Sequence, residues 1–311
     1  MSRRHVVTAL RVLIGVVTLG AVAYAIIRNW ADVSVHLGKI SWGTFALSTL
    51  AAAFGTFLTM LGWKGILSDL GSELHMAPAS GVYYVGQLGK YLPGSLWAVL
   101  VQADMASRLG VPRRRTAVSG ILALGFGLLT GLLVGLPSAT FVLRSGTGGF
   151  PWWTLLAIPL VAVLLIPKVV NRSIALLLRV LRREPLEHDL SARAILTAFG
   201  TYVAVWLAFG VHTLLLALAV SGPSEQLTTA SLTGYALSVA LGMLLVVLPA
   251  GLGAREGLLT LILSSVMPTP AAAAVAITSR FIVTVVDVGL AGAGWLYARA
   301  QHLLEQRTVA D

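Results

Sequence analysis

A chain of 311 residues that is 57% hydrophobic and only 11% charged, with mean hydropathy +0.87, falls outside the soluble globular range, in which about a quarter of residues are charged. The formal charge of +10 does not point to nucleic acid, because the basic residues lie in short loops between apolar runs, where they set topology and meet anionic headgroups. Cysteine is absent, which excludes disulfides, thiolate catalysis and cysteine-based metal sites.

Apolar windows of about 18 residues or more recur along the chain, each long enough to cross the hydrocarbon of a bilayer. The longest polar stretch, 168–193, is too short and too basic for an aqueous domain. One transmembrane domain over 1–311 is the expectation. Its start resembles a secretory signal, with MSRRH, an apolar run and Ala-Val-Ala at 21–23. The run continues through Ile27, so an uncleaved first helix over about 6–27 is expected. Further helices are expected at about 42–67, 116–143, 151–167, 194–220 and 272–298. Two segments, about 79–104 and 229–266, are apolar but interrupted by Leu92-Pro93 and Leu248-Pro249.

The positive-inside rule orients this set. Arg3-Arg4, Arg113 to Arg115, the cluster from Arg172 to Arg193, and Arg299 with Arg307 belong on the cytoplasmic side. Loops 28–41, 144–150 and 221–228 carry few positive charges and belong outside. Segment 79–104 must then start and finish inside, and 229–266 must start and finish outside. Both read as re-entrant hairpins; the alternative, two ordinary spans kinked by Pro and Gly, violates the charge rule twice. The fold class expected is an all-α polytopic membrane protein. It has two inverted-topology repeats, about 1–145 and 150–300, each of three transmembrane helices plus one re-entrant hairpin. Interrupted segments at matching points of inverted halves point to a transporter's binding site.

The breaks carry the candidate chemistry. Pro93 and Gly94 free the chain to restart as a helix near Ser95, and Gly251 and Gly253 do the same before Arg255-Glu256. First-turn N–H groups lack intrahelical partners and carry the positive end of the helix dipole, which suits an anion. Lys90 adds a charge one turn before the first break. Arg255, in a first turn that disfavours cations, suggests a paired or functional role. Arg280 and Asp287 lie seven residues apart on one face of the last helix, where buried charges are costly and are functional candidates by default. Internal ion pairs, Arg280 with Glu256 or Arg255 with Asp287, are the structural alternative. The set of Lys90, Arg255 and Arg280 against Glu256 and Asp287 still leaves one net positive charge. Trp97, Tyr83 and Tyr84 either line a headgroup pocket or mark an interface. Asp104 is expected at the cytoplasmic interface or paired with Arg108, and His212 as a packing hydrogen bonder. The glycines of 125–135 are expected as close-packing surfaces, and 171–184 as a basic amphipathic helix on the membrane surface. No metal-binding, P-loop, nucleotide-binding or catalytic-triad motif appears. No catalytic residue, metal or cofactor is expected, and the chain is not expected to be an enzyme.

LPAGLGAREG at 248–257 followed by AITSRFIV at 276–283, and GKYLPGSLW at 89–97 followed by ASRLGVPRRR at 106–115, resemble the transmembrane (flippase) region of lysylphosphatidylglycerol synthases, the MprF flippase-domain type with stand-alone YbhN-like relatives. The resemblance implies a lipid-translocating fold and places Lys90, Pro93, Gly94, Gly251, Gly253, Arg255, Glu256 and Arg280 on motif positions. Ala250 stands where the family often has a second glycine, and Trp97 where many relatives have glycine. A soluble aminoacyl-transferase domain is missing from the sequence. The function expected is a bacterial inner-membrane flippase with cytoplasmic termini. Its substrate would be a phosphatidylglycerol-type phospholipid or a polyprenyl-phosphate-linked sugar, and its possible partner a lipid-modifying or glycosyl transferase. The alternatives are a non-catalytic membrane subunit presenting lipid to a separate transferase, or a small-solute secondary transporter.

Overall fold

The structure is a computed structural model that describes residues 30–91, 97–143, 156–180, 182, 184–244 and 253–300. Among these residues every regular element is helical and there is no strand. In chain order the α-helices are α1 (Trp30–Leu37), α2 (Trp42–Asp69), α3 (Met76–Gln87), α4 (Trp97–Ser107), α5 (Arg113–Leu143), α6 (Ala157–Leu164), α7 (Pro167–Val180), α8 (Ala192–Val220), α9 (Glu225–Leu244), α10 (Ala254–Ser264) and α11 (Thr269–Ala300). A 3₁₀ turn, Leu88–Tyr91, extends α3. The expected first span, 6–27, lies outside the described residues. The expected span at 151–167 is described only in part, where it forms α6.

Five helices are long and apolar enough to cross a membrane: α2, most of α5, α8, α9 and α11. Their outward faces are apolar. Leu47, Leu50, Phe54 and Phe57 form an exposed stripe on α2, and Phe281, Val285 and Val288 expose themselves on α11. Water would penalise such continuous exposure; lipid does not. The protein is a polytopic helical membrane protein.

Two long helices start at a serine cap. Ser41 Oγ accepts the Thr44 N–H at 3.1 Å at the start of α2, and Ser191 Oγ accepts the Ala194 N–H at 3.1 Å at the start of α8. A capping serine satisfies a donor that the first turn leaves unpaired. The two capped helices run antiparallel. Asp69 accepts from Ser191 N and Oγ at 2.7 and 2.8 Å at one end, while Ser48 meets His212 at 2.7 Å at the other. Between those ends Gly55 faces the Phe209 ring and Gly62 the Tyr202 ring.

Small residues draw the arms of each interrupted segment together. A Cβ on Gly89 would lie 2.6 Å from Ala98 N, and one on Gly86 would meet Gln102, so α4 returns antiparallel along α3. In the later segment Gly242 faces Arg255 and Gly234 faces Ile262, so α10 returns along α9. Each pair of arms also packs on a long helix. Arm α9 packs antiparallel on α5 through Ser138–Thr233 (2.6 Å) and the close approach of Gly135 to Leu237. Arm α3 packs antiparallel on α11, where a Cβ on Gly294 would lie 3.3 Å from the Gly81 Cα. The first arms of the two segments differ in length. Arm α9 has 20 residues, about 30 Å of helix, whereas α3 has 12.

The two ends of the bundle differ in charge. At one end Asp104 pairs with Arg113 (2.7 Å) and Arg108 (3.1 Å), Arg114 with Glu184 (3.4 Å), and Arg115 with Glu187 and the Gly71 carbonyl. At the other, linkers 38–41, 221–224 and 265–268 carry one charge, Lys39. Basic helix α7 buries Val170, Ile174 and Leu178 and exposes Arg172 and Arg179, an amphipathic division.

Candidate functional site

A cavity of about 530 Å³ opens where α2, α5, α8 and α11 meet the two interrupted segments, α3–α4 and α9–α10. Apolar and aromatic side chains dominate its wall, among them Trp63, Tyr83, Tyr202, Trp206 and Tyr235. Such a wall with a few convergent polar groups is the usual form of a small-molecule site. Its charged groups are Lys90, Arg255, Arg280 and Asp287, joined by the polar side chains of Thr56, Thr59, Gln87, Tyr91 and Gln102. The sequence singled out all four charged residues separately.

Their height follows from the last helix. Residues 269–300 span about 48 Å at 1.5 Å per residue, with the midpoint between 284 and 285. Arg280 and Asp287 therefore lie within about 7 Å of mid-height.

Asp287 is 4% exposed and is held by the tip of the first segment. Lys90 Nζ lies 2.7 Å from Oδ2, and the Tyr91 hydroxyl donates to the same oxygen at 2.6 Å. The 3₁₀ turn brings these neighbours to one carboxylate. Arg280 is held by the second segment: its Nε lies 3.4 Å from Glu256 Oε1, and its guanidinium carbon lies 5.6 Å from the Tyr91 ring centroid. Glu256 also fixes the start of α10, accepting the Gly253 N–H on Oε2 at 2.7 Å. Gly253 adopts φ 82° and ψ −46°, a conformation that only glycine enters readily. Thus α11 carries one partner for each interrupted segment.

Arg255 differs from the other two cations. It is buried, it lines the cavity, and among the described residues no carboxylate lies within ion-pair distance. Its Nη2 donates to the Tyr235 hydroxyl, and its guanidinium carbon lies 4.5 Å from the Tyr235 ring centroid. Phe209 stacks on that ring at 4.9 Å and 7°. A phenol satisfies a donor without cancelling a charge, so one positive charge remains uncompensated in the wall.

Of the two ion pairs weighed in the sequence, Arg280–Glu256 forms, while Asp287 takes Lys90 in place of Arg255. Trp97 is half exposed and does not line the cavity. Pro93, Gly94, Ser95 and Gly251 lie outside the described residues. Tyr83 lines the cavity and Tyr84 does not. His212 bridges three helices, with Nδ1 at 2.7 Å from Ser48 Oγ and Nε2 at 2.9 Å from Ser279 Oγ, the packing role expected for it. Tyr91 and Tyr235 were not singled out from the sequence; a tyrosine one residue after Lys90 at the break was the signal for the first.

Fold and site together define a multi-pass helical membrane protein with a charged cavity at mid-height between two interrupted segments. The chain belongs to the lysylphosphatidylglycerol synthase transmembrane-region family, which it matches over residues 9–291, about nine-tenths of its length. No curated protein matches it.

Proposed function

We propose that this protein is a lipid flippase of a bacterial inner membrane, which binds a phosphate-bearing headgroup in the central cavity while the hydrocarbon tail stays in the bilayer. The observation that carries this reading is Arg255, a buried cation in the cavity wall with no carboxylate against it among the described residues. A fixed excess charge in a low-dielectric wall favours an anionic guest. The candidate substrates are a phosphatidylglycerol-type phospholipid and a polyprenyl-phosphate-linked sugar.

In this reading the paired arms are re-entrant hairpins inserted from opposite faces, and the termini are cytoplasmic. Antiparallel packing within each pair of arms and the packing of each pair on a long helix support it. Two interrupted segments that each hold α11 through an ion pair suit alternating access, in which one half rocks against the other. Glu256 and Asp287 are the groups through which proton coupling would act.

Reconstitution in liposomes tests the reading: leaflet exchange of fluorescent phosphatidylglycerol and of a polyprenyl-phosphate sugar, in wild type and Arg255→Gln. Exchange of one lipid by wild type, lost in the folded variant, is the expected result. Exchange of neither by folded wild type would overturn the reading and favour a subunit that presents lipid to a separate transferase.

A further inference from the structure

The charges around the cavity can be counted. Among the described residues Lys90, Arg255 and Arg280 contribute three positive charges, and Glu256 and Asp287 contribute two negative ones. Residues 92–96 and 245–252, which join the arms in sequence, read LPGSL and LVVLPAGL and add no ionisable side chain to the sum. Asp287 is engaged by Lys90 and Tyr91, while Glu256 accepts the Gly253 N–H on Oε2 and keeps Arg280 at 3.4 Å from Oε1, which accepts no hydrogen bond among the described residues.

From this count we infer that the cavity selects a headgroup bearing one net negative charge, a phosphodiester with no added ammonium group. The inference rests on the flippase reading above and specifies its substrate. One negative charge neutralises the Arg255 excess. A phosphomonoester with two charges leaves one buried and uncompensated, and a zwitterionic or aminoacylated headgroup brings an ammonium for which no carboxylate is vacant among the described lining residues. An uncompensated buried charge is among the costliest defects in a protein interior.

The rim argues for a lipid over a free phosphodiester. Cavity residues Leu124 on α5 and Leu244 at the end of α9 are 37% and 54% exposed, and both belong to helices long and apolar enough to lie in hydrocarbon. A ligand whose head reaches Arg255 past these leucines would meet hydrocarbon at the opening, which suits an acyl or prenyl chain and does nothing for a soluble anion.

Displacement of fluorescent phosphatidylglycerol from the purified protein in mixed micelles tests this. The competitors are phosphatidylglycerol, phosphatidic acid above its second ionisation, phosphatidylcholine, and soluble glycerophosphoglycerol. Wild type should prefer phosphatidylglycerol over each of the others by at least about tenfold. Asp287→Asn raises the count to two positive charges and should move the preference toward phosphatidic acid. Arg255→Gln lowers it to zero and should weaken both anionic lipids. Equal binding of phosphatidylglycerol and phosphatidic acid in wild type, or no change in preference in a folded Asp287→Asn protein, overturns the charge count and leaves the flippase reading intact. Glycerophosphoglycerol competing as well as the lipid overturns the tail argument. Failure of every lipid to displace the probe overturns both.

Discussion

The Lys90–Asp287 pair is asymmetric, and the asymmetry predicts which partner is dispensable. The Asp287 side chain is 2% exposed, whereas that of Lys90 is 34% exposed. Replacing Lys90 by Met strands a buried carboxylate with the Tyr91 hydroxyl as its remaining donor from that turn, and breaking a buried pair in this way costs about 3–5 kcal/mol. Retention of the Tyr91 bond places the loss at the lower end, near 3 kcal/mol. Replacing Asp287 by Asn removes the charge but keeps an acceptor for Tyr91, and the partly exposed ammonium can lean toward water along its flexible stem. That change should cost about 1–2 kcal/mol. At about 2 °C per kcal/mol for a large chain, Lys90→Met should melt about 2–4 °C below Asp287→Asn. The double change Lys90→Met with Asp287→Leu removes both charges and should recover much of the loss. Thermal unfolding in detergent followed by tryptophan fluorescence reads all three. Asp287→Asn melting at or below Lys90→Met, or a double variant no better than Lys90→Met, would refute the reasoning.

Two further predictions concern the supports of the site. Gly253→Ala places a side chain at φ 82° and ψ −46°, a strain of about 1–3 kcal/mol, and disturbs the turn that aims Arg255; lipid exchange in liposomes should fall more than about tenfold with a melting point only a few degrees lower. His212→Leu leaves Ser279 Oγ and Ser48 Oγ without their imidazole partner and should cost about 1–3 kcal/mol in thermal unfolding, while the order of preference among lipid headgroups stays unchanged.

Much of the fold was legible because a membrane forces the backbone to satisfy itself, so apolar length and interruptions map directly onto helices and breaks. The spans at 42–67, 194–220 and 272–298 appear as α2, α8 and α11 with small extensions. Helix α1 falls in the loop expected over 28–41; eight residues with Asp32 and His36 carry no span signal, and packing against α11 is what accompanies the helix. Basic helix 171–184 begins earlier, at Pro167, where proline suits a first helical position. The full length of α9 was missed because Thr, Ser and Gly dilute the hydropathy of its first turns.

At the site, residue identity was legible and partnership was not. Arg280 and Asp287 stand out on any apolar helix, and Arg255 stands out in a first turn. Which carboxylate meets which cation depends on the 3₁₀ turn that carries Lys90 and Tyr91 to α11, and on the stack of Phe209 against Tyr235 that sets the phenol beside Arg255. Those are contacts between residues as much as 196 positions apart, beyond any local pattern.

An uncompensated positive charge inside the cavity is the central claim, and the lack of native cysteine makes it directly measurable. Ala123 is small, buried and part of the cavity wall, so Ala123→Cys places a single thiol beside the site. Its rate of modification should be compared for negatively and positively charged methanethiosulfonate reagents of similar size, with and without phosphatidylglycerol. An anion-binding cavity predicts faster reaction with the negative reagent, by about tenfold, and protection by phosphatidylglycerol but not by phosphatidylcholine. Faster reaction with the positive reagent, or no protection by phosphatidylglycerol, would contradict it.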